Sequence, residues 1–143
     1  MNKKIVGTRP RYPWKRSSKK LLAPIVRKRI ARKLVKTFHG WHIGAREKHA
    51  LLGLHPFEYA AMKHGEMLPV KREIFLRVSE LSKINDALYS LLGRDVKNIA
   101  HWLNTPNNGR IFGGKKAVVF MSSNFKNLRL TRQYLEHFSY SGW

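Results

Sequence analysis

The longest apolar stripe in the sequence lies between Pro69 and Gly93. Its residues recur at intervals of three and four, which is the period of one face of an α-helix. They are Val70, Ile74, Val78, Leu81, Ile84, Leu88, Leu91 and Leu92. Because proline favours a helix start and glycine a helix end, we predict one long helix between these two residues. Its apolar face is long enough to pack against two helical layers, which predicts the central helix of a helical fold.

A second amphipathic pattern begins near Pro24. Its apolar residues recur at spacing four, and cationic residues fill most of the other positions. The apolar residues are Leu22, Val26, Ile30, Leu34 and Phe38. Pro24 suits the first turn of a helix, and we expect Gly40 to end it. Such a helix either buries its apolar face in the core, which is the more common case, or lies on an anionic membrane surface.

Two short helices follow, separated by a tight turn. Residues 45–53 predict the first helix and residues 54–55 the turn, and Pro56 begins a second helix that ends near His64, before Gly65. Two helices across a short turn that contains glycine form the helix-turn-helix motif, whose second helix enters the major groove of DNA. Helical hairpins that do not bind DNA share this pattern, so the motif alone does not establish DNA binding.

The second helix of this pair contains the candidate base-contacting residues. The side chains expected to face outward are those of His55, Glu58, Tyr59 and Lys63. A glutamate can accept a hydrogen bond from cytosine, and a lysine can bind guanine or a phosphate. The alternative for each residue is an ordinary solvated helix face. Phe57, Ala60 and Ala61 are expected to pack against the rest of the protein.

The positive charge is concentrated at the start of the chain. Residues 1–37 contain fourteen Lys or Arg and no acid, whereas residues 38–143 contain fifteen against eight acids. The net charge of +21 repels itself unless a polyanion neutralises it. Nucleic acid is the default partner because phosphate contacts release counterions, and an anionic membrane surface is the alternative. Residues 1–20 predict a flexible basic arm. The cations expected to contact DNA are Lys15, Arg16, Arg27, Arg29 and Arg46.

The second half of the chain predicts shorter elements. Asp95 can cap a helix that Pro106 ends, and a last helix is expected over about residues 126–138. Residues 117–121 are apolar and rich in β-branched side chains. So short a run does not distinguish a strand from a buried helix.

No arrangement of residues favours catalysis or metal binding. The chain has no cysteine, which excludes disulfides and cysteine-bound zinc. The seven histidines include no His-Glu-x-x-His pair, the eight acids are scattered among cations, and Gly113-Gly114 lacks the rest of a phosphate-binding loop. Trp102 and Phe112 are assigned to the core. We therefore expect no enzyme, no cofactor and no metal.

The N-terminal residues do not have the pattern of a targeting segment. No apolar stretch follows the cationic start, and the apolar runs of the chain are too short to span a bilayer. The absence of cysteine fits a reducing compartment. We therefore expect a cytoplasmic protein without a membrane anchor.

Residues 30–143 contain several motifs in a distinctive order. The most specific is Trp102-Leu103-x-x-Pro106-Asn107 followed by Phe112-Gly113-Gly114, after a helix-turn-helix. The other segments are residues 38–65, the predicted central helix, Ala100-His101, Arg132-Gln133-Tyr134-Leu135 and the closing Gly142-Trp143. This combination resembles the Xre/MbcA/ParS-type antitoxins.

The resemblance implies an all-α antitoxin that represses its own operon and neutralises a RES-domain toxin, an enzyme that degrades NAD. It implies a helix-turn-helix DNA-binding region over residues 21–68. This region packs through the long central helix on a small helical C-terminal domain, and residues 69–143 serve in toxin binding and dimerisation. Residues 117–121 are helical in this scheme, and the protein is a homodimer of the bacterial cytoplasm, at the nucleoid when bound to DNA. The implied toxin-contacting residues are Arg132, Tyr140, Gly142 and Trp143.

Two features depart from the family pattern. Lys115-Lys116 follow Gly114, where the family has a proline and an apolar residue, and a basic arm and basic first helix are unusual in an antitoxin. Three alternatives stay open. One is a solitary antitoxin-derived repressor without a toxin partner, and another is a basic protein that binds RNA or the ribosome. The third is an inhibitor that only binds a toxin, with a basic arm that is incidental to this role.

Overall fold

The computed structural model describes residues 23–65 and 68–141, with side chains described as far as Phe138. This part of the chain forms seven helices and no strand, which confirms the all-α prediction. The helices are α1 (Pro24–Trp41), α2 (Ala45–Leu52), α3 (Pro56–Lys63), α4 (Arg72–Leu91), α5 (Val96–Asn104), α6 (Ala117–Ser122) and α7 (Phe125–Ser141). None of these helices is both long and apolar enough to cross a membrane.

The first helix begins where the sequence predicts but ends later. Gly40, expected to terminate α1, lies inside it, and the helix continues to the buried Trp41 before His42 adopts a left-handed conformation with φ of 54°. A Cβ on Gly40 would lie 3.2 Å from Cγ1 of Val96. The helix therefore ends one residue later than predicted, and Gly40 lies against the Val96 side chain of α5.

The two short helices α2 and α3 have the predicted bounds to within one residue. Gly53 follows α2 with φ of 70°, a conformation that favours glycine, and its N–H donates to the carbonyl of Ala50. Pro56 then begins α3 after a connection of three residues. Two short helices joined by a three-residue connection that contains Gly53 are therefore present, as the sequence predicts.

The central helix α4 is slightly shorter than the apolar stripe. It begins at Arg72, so Val70 precedes the helix and is 47% exposed. The remaining apolar residues of the stripe are buried or half-buried, as predicted. The helix also buries two charged residues that the apolar pattern did not include, Arg77 and Glu80.

The elements after α4 match the expectations except at the end of the chain. The Asp95 carboxylate accepts from the N–H of Lys97 at 2.9 Å and caps α5. Residues 117–121 are helical, as the family resemblance implied. The last helix extends to Ser141, beyond the predicted end at Phe138, so the backbone of Tyr140 belongs to its final turn.

One core joins all seven helices of the described chain. The most extensive packing is between α4 and α7, and α6 also lies against α7. Helix α1 packs on α3 and α5, and α2 packs on α6 as well as on α4. The N-terminal half therefore contacts the C-terminal half directly, through α1 on α5 and α2 on α6, as well as through the central helix.

Candidate nucleic-acid interface

Helix α3 buries a face that the sequence assigned to the outside. Tyr59 is only 6% exposed and Met62 is buried beside it, with the Tyr59 ring centroid 6.3 Å from that of Phe38 in α1. Burial raises the pKa of the Tyr59 hydroxyl. The prediction that Tyr59 faces outward was therefore wrong, because its ring fills the contact between α1 and α3.

Phe57 shows the opposite error. It was expected to pack, yet it is 73% exposed. Ala60 was also expected to pack and is likewise exposed. Two residues along a helix rotate the side chain by roughly 200°, so a residue two before the buried Tyr59 points away from the core. The spacing of Tyr59 and Met62, three apart, was the signal that could have identified the buried face.

Glu58 is engaged by its own chain. Its Oε1 accepts from the backbone N–H of His55 at 2.9 Å, and its Oε2 lies 3.8 Å from Nζ of Lys71. The hydrogen bond from the His55 N–H is the main cause of the lowered pKa of this carboxyl. Glu58 therefore closes the start of α3 and links it to the start of α4, which makes it a poor candidate for a cytosine contact.

The residues that α3 presents to solvent form what we call the outer face of α3. They are His55, Phe57, Ala60, Lys63 and His64. The His55 ring stacks on that of Phe57, with centroids 5.5 Å apart and planes only 6° from parallel. The small side chain of Ala60 lies between the aromatic pair and the cationic end of the helix. Two of the four predicted residues, His55 and Lys63, are thus on this face.

A groove beside the end of α3 brings cations from two helices together. We call it the basic groove, and it has a volume of about 660 Å³. It is lined by Arg32, Val35, Lys36 and His39 from α1 and by Met62, Lys63, His64 and Gly65 from the end of α3. Arg32, Lys36 and His39 were not predicted as site residues, although their spacing of four and three places them on one helix face.

Helix α1 contains no acid and six Lys or Arg residues. Five of them are exposed: Lys28, Arg29, Arg32, Lys33 and Lys36. Within the described ranges no ion pair joins any of these five to a carboxylate. The sixth, Arg27, is half-buried, and its Nε donates to the carbonyl of Leu68 at 2.8 Å. Arg27 thus holds the segment before α4, whereas Arg29 projects into solvent.

The remaining predicted DNA contacts are Arg46, Lys15 and Arg16, none of which is among the described residues that line the basic groove. Arg46 is exposed at the start of α2. Lys15 and Arg16 lie outside the described residues. The structure therefore brings Lys63 together with α1 cations that the sequence did not single out.

Arg132, a predicted toxin contact, lies at the interface between α4 and α7. Its Nε donates to Oε1 of the buried Glu80 at 2.7 Å, and its Nη1 donates to Oε1 of Glu136 at 2.9 Å. The hydrogen bond with Glu80 is the main cause of its raised pKa. The prediction overlooked this internal role. The side chain of Tyr140, and all of Gly142 and Trp143, lie outside the described part of the structure.

The motif around Trp102 and Phe112 forms part of the core. Phe112 is buried, and its ring makes edge contacts with those of Trp102, Phe120 and Tyr134 at centroid distances of 5.2 to 5.7 Å. Trp102 is half-buried. Within residues 23–65 and 68–141, no group of three or more metal-ligating side chains lies together.

Comparisons with known proteins do not assign the chain to a family. Neither the scan against protein-family models nor the search of curated proteins returned a match. The function is therefore inferred from the geometry and charge of the outer face of α3 and the basic groove, with the motif residues as additional support.

Proposed function

We propose that this protein is a DNA-binding antitoxin that represses its own operon through the outer face of α3. The observation that carries the DNA-binding part is the position of α3. Its outer face is exposed, and beside it lies the basic groove, lined by α1 cations without carboxylate partners in the described chain. Base-contacting and phosphate-contacting groups are therefore adjacent on one surface.

The dimensions of α3 suit the major groove. An α-helix with its side chains is about 10–12 Å across, and the major groove of B-DNA is about 12 Å wide and admits a helix. The methyl side chain of Ala60 projects little from the middle of the outer face, so the backbone of α3 can approach the bases. Arg29, Arg32 and Lys36 can then contact phosphates, which position a protein on the duplex while base contacts select the sequence.

Selection from a random duplex library, followed by titration of the selected duplex, tests the DNA-binding proposal. We expect Phe57→Ala with Lys63→Ala to lose preference for the selected duplex, while Val119→Ala, an exposed change on α6, leaves it unchanged. Glu58 and Tyr59 are unsuitable test positions because one caps α3 and the other is buried. If no sequence is enriched and an RNA hairpin competes as well as duplex DNA, the proposal fails in favour of RNA binding.

The antitoxin part of the proposal is supported by the motif resemblance. We propose that the C-terminal half of a homodimer binds a RES-type toxin, with the end of the chain near the toxin's active site. Removal of residues 139–143 is expected to abolish neutralisation of a RES-type toxin encoded beside this gene. Removal of residues 1–20 is the matched control and should weaken DNA binding while sparing neutralisation, since it deletes eight cations and no acid.

The truncation also discriminates between two roles of the C-terminal end. Operator binding and melting temperature should stay nearly unchanged if residues 139–143 act on the toxin. A fall of many degrees in melting temperature would indicate that Trp143 belongs to the core. Complete neutralisation by the truncated chain would contradict the proposed toxin contact.

A further inference from the structure

Phe57 is the most exposed large apolar residue of the described chain. Its ring is nevertheless held by the parallel His55 ring, which stacks against it at the start of α3. Exposure of an aromatic ring to water does not stabilise the protein, whereas its burial would. A solvent-facing ring is therefore available for contact with a ligand.

The surroundings of Phe57 define an apolar patch at the leading end of α3. Ala60 and Ala61 follow at spacings of three and four, so they lie on the same side of the helix as Phe57. Phe57 is the second residue of α3, and the N-terminal residues of a recognition helix are the ones that meet base edges. The patch is thus where the helix would be closest to the bases.

The charge around this patch favours nucleic acid over a protein partner. Lys63 and His64 lie on the same outer face, and the basic groove adds Arg32 and Lys36. Glu58, the single acid of α3, has its carboxylate turned to the His55 N–H and Lys71. An apolar patch bordered by cations is suited to a ligand that combines phosphates with a recessed apolar group.

The major groove contains one such apolar group, the C5 methyl of thymine. We propose that Phe57, supported by the His55 stack and by Ala60, contacts a thymine methyl and makes this methyl a determinant of sequence preference. This inference rests on the proposed DNA-binding function. Cytosine at the same position lacks the methyl group, so the contact would discriminate thymine from cytosine through surface burial instead of a hydrogen bond.

Replacement of thymine by deoxyuridine tests the proposal, because it removes only the methyl group. The full chain is titrated against its library-selected duplex and against duplexes with deoxyuridine at each thymine in turn. We expect the wild type to lose about fourfold in affinity at one thymine per half-site, the loss that corresponds to one buried methyl. Phe57→Ala should bind the thymine and deoxyuridine duplexes equally. Lys63→Ala is the matched control and should keep the fourfold difference while weakening both.

A complementary substitution restores the methyl on another base. With a guanine–cytosine pair at the sensitive position, 5-methylcytosine should bind the wild type more tightly than cytosine, and Phe57→Ala should not distinguish them. If selected duplexes bind but no thymine is sensitive, or the sensitivity persists in Phe57→Ala, the methyl contact is overturned while DNA binding stands. If the library yields no enriched duplex, the proposed function and the methyl contact are both overturned.

Discussion

The cations of α1 and those at the interface of α4 and α7 are placed in opposite ways. Arg132 bonds to two carboxylates, and Arg77 bonds to Glu73 and to the carbonyls of Ala50 and Leu51 at the end of α2. Arg77 also lies 5.7 Å from the Phe125 ring centroid. The five exposed cations of α1, by contrast, form no ion pair with a carboxylate of the described residues.

Arg132 and Arg77 therefore stabilise the fold through partners inside the protein. The exposed cations of α1 are available to an external anionic partner. A buried carboxylate such as that of Glu80 is costly to leave unpaired, so Arg132 offsets a penalty inside the protein. Exposed cations on one helix face repel one another and are stabilised when phosphates neutralise them. Residue type alone does not distinguish the two groups, since both contain arginine.

Removal of an interface cation should have the largest effect on stability. We expect Arg132→Met to lower the free energy of unfolding by about 3 kcal/mol, because it leaves the buried Glu80 carboxylate without its partner. Arg32→Met on α1 is the matched control and should stay within about 0.5 kcal/mol of wild type. Urea denaturation measures both. Adding Glu80→Gln to Arg132→Met should recover part of the loss. Equal stabilities of the two arginine variants would contradict the comparison.

Removal of α1 cations should have the opposite effect. It should weaken DNA binding and change stability little. Arg32→Gln with Lys36→Gln is expected to lower duplex affinity roughly tenfold or more and to make the salt slope shallower by about 1.8, at 0.9 per phosphate contact. Lys97→Gln with Lys126→Gln removes the same charge from exposed positions on α5 and α7 and serves as the control. Affinity titrations at several salt concentrations measure the slopes. Equal losses in both pairs would mean that only net charge matters.

The smallest effect is expected when the charge of Glu58, which pairs with Lys71 in the candidate site, is removed. The pKa of Glu58 is lowered from its ordinary value of 4.5, so its stabilising contribution is present above that pH and is lost as the pH falls through the lowered pKa. The difference in melting temperature between wild type and Glu58→Gln should therefore be visible at pH 7 and disappear in acid. Thermal melts from pH 7 to pH 3 measure it. A difference in melting temperature that does not change with pH would contradict the stabilising role assigned to the Glu58 charge.

Helices and their limits were largely predictable from local sequence. The period of three and four in the stripe of α4 predicted a helix, and Pro56, Gly53 and Asp95 marked ends that the structure confirms. These features depend on neighbours within one or two turns, so the amino-acid order suffices to recognise them. The apolar residues 117–121 were the exception, since so short a run fits a strand or a buried helix equally.

The orientation of α3, the role of Gly40 and the partners of Arg132 depended on residues distant in the chain. Tyr59 is inside because Phe38 lies opposite it, and Gly40 lies against the Val96 side chain of α5. Arg132 is structural because α4 presents Glu80 to it. The sequence by itself determined a helical protein with a large excess of positive charge and a pair of short helices across a glycine-containing turn. Only the tertiary structure decided that Tyr59 and the polar side chains of Glu80 and Arg132 are turned inward, because the burial of such residues depends on which helices pack together.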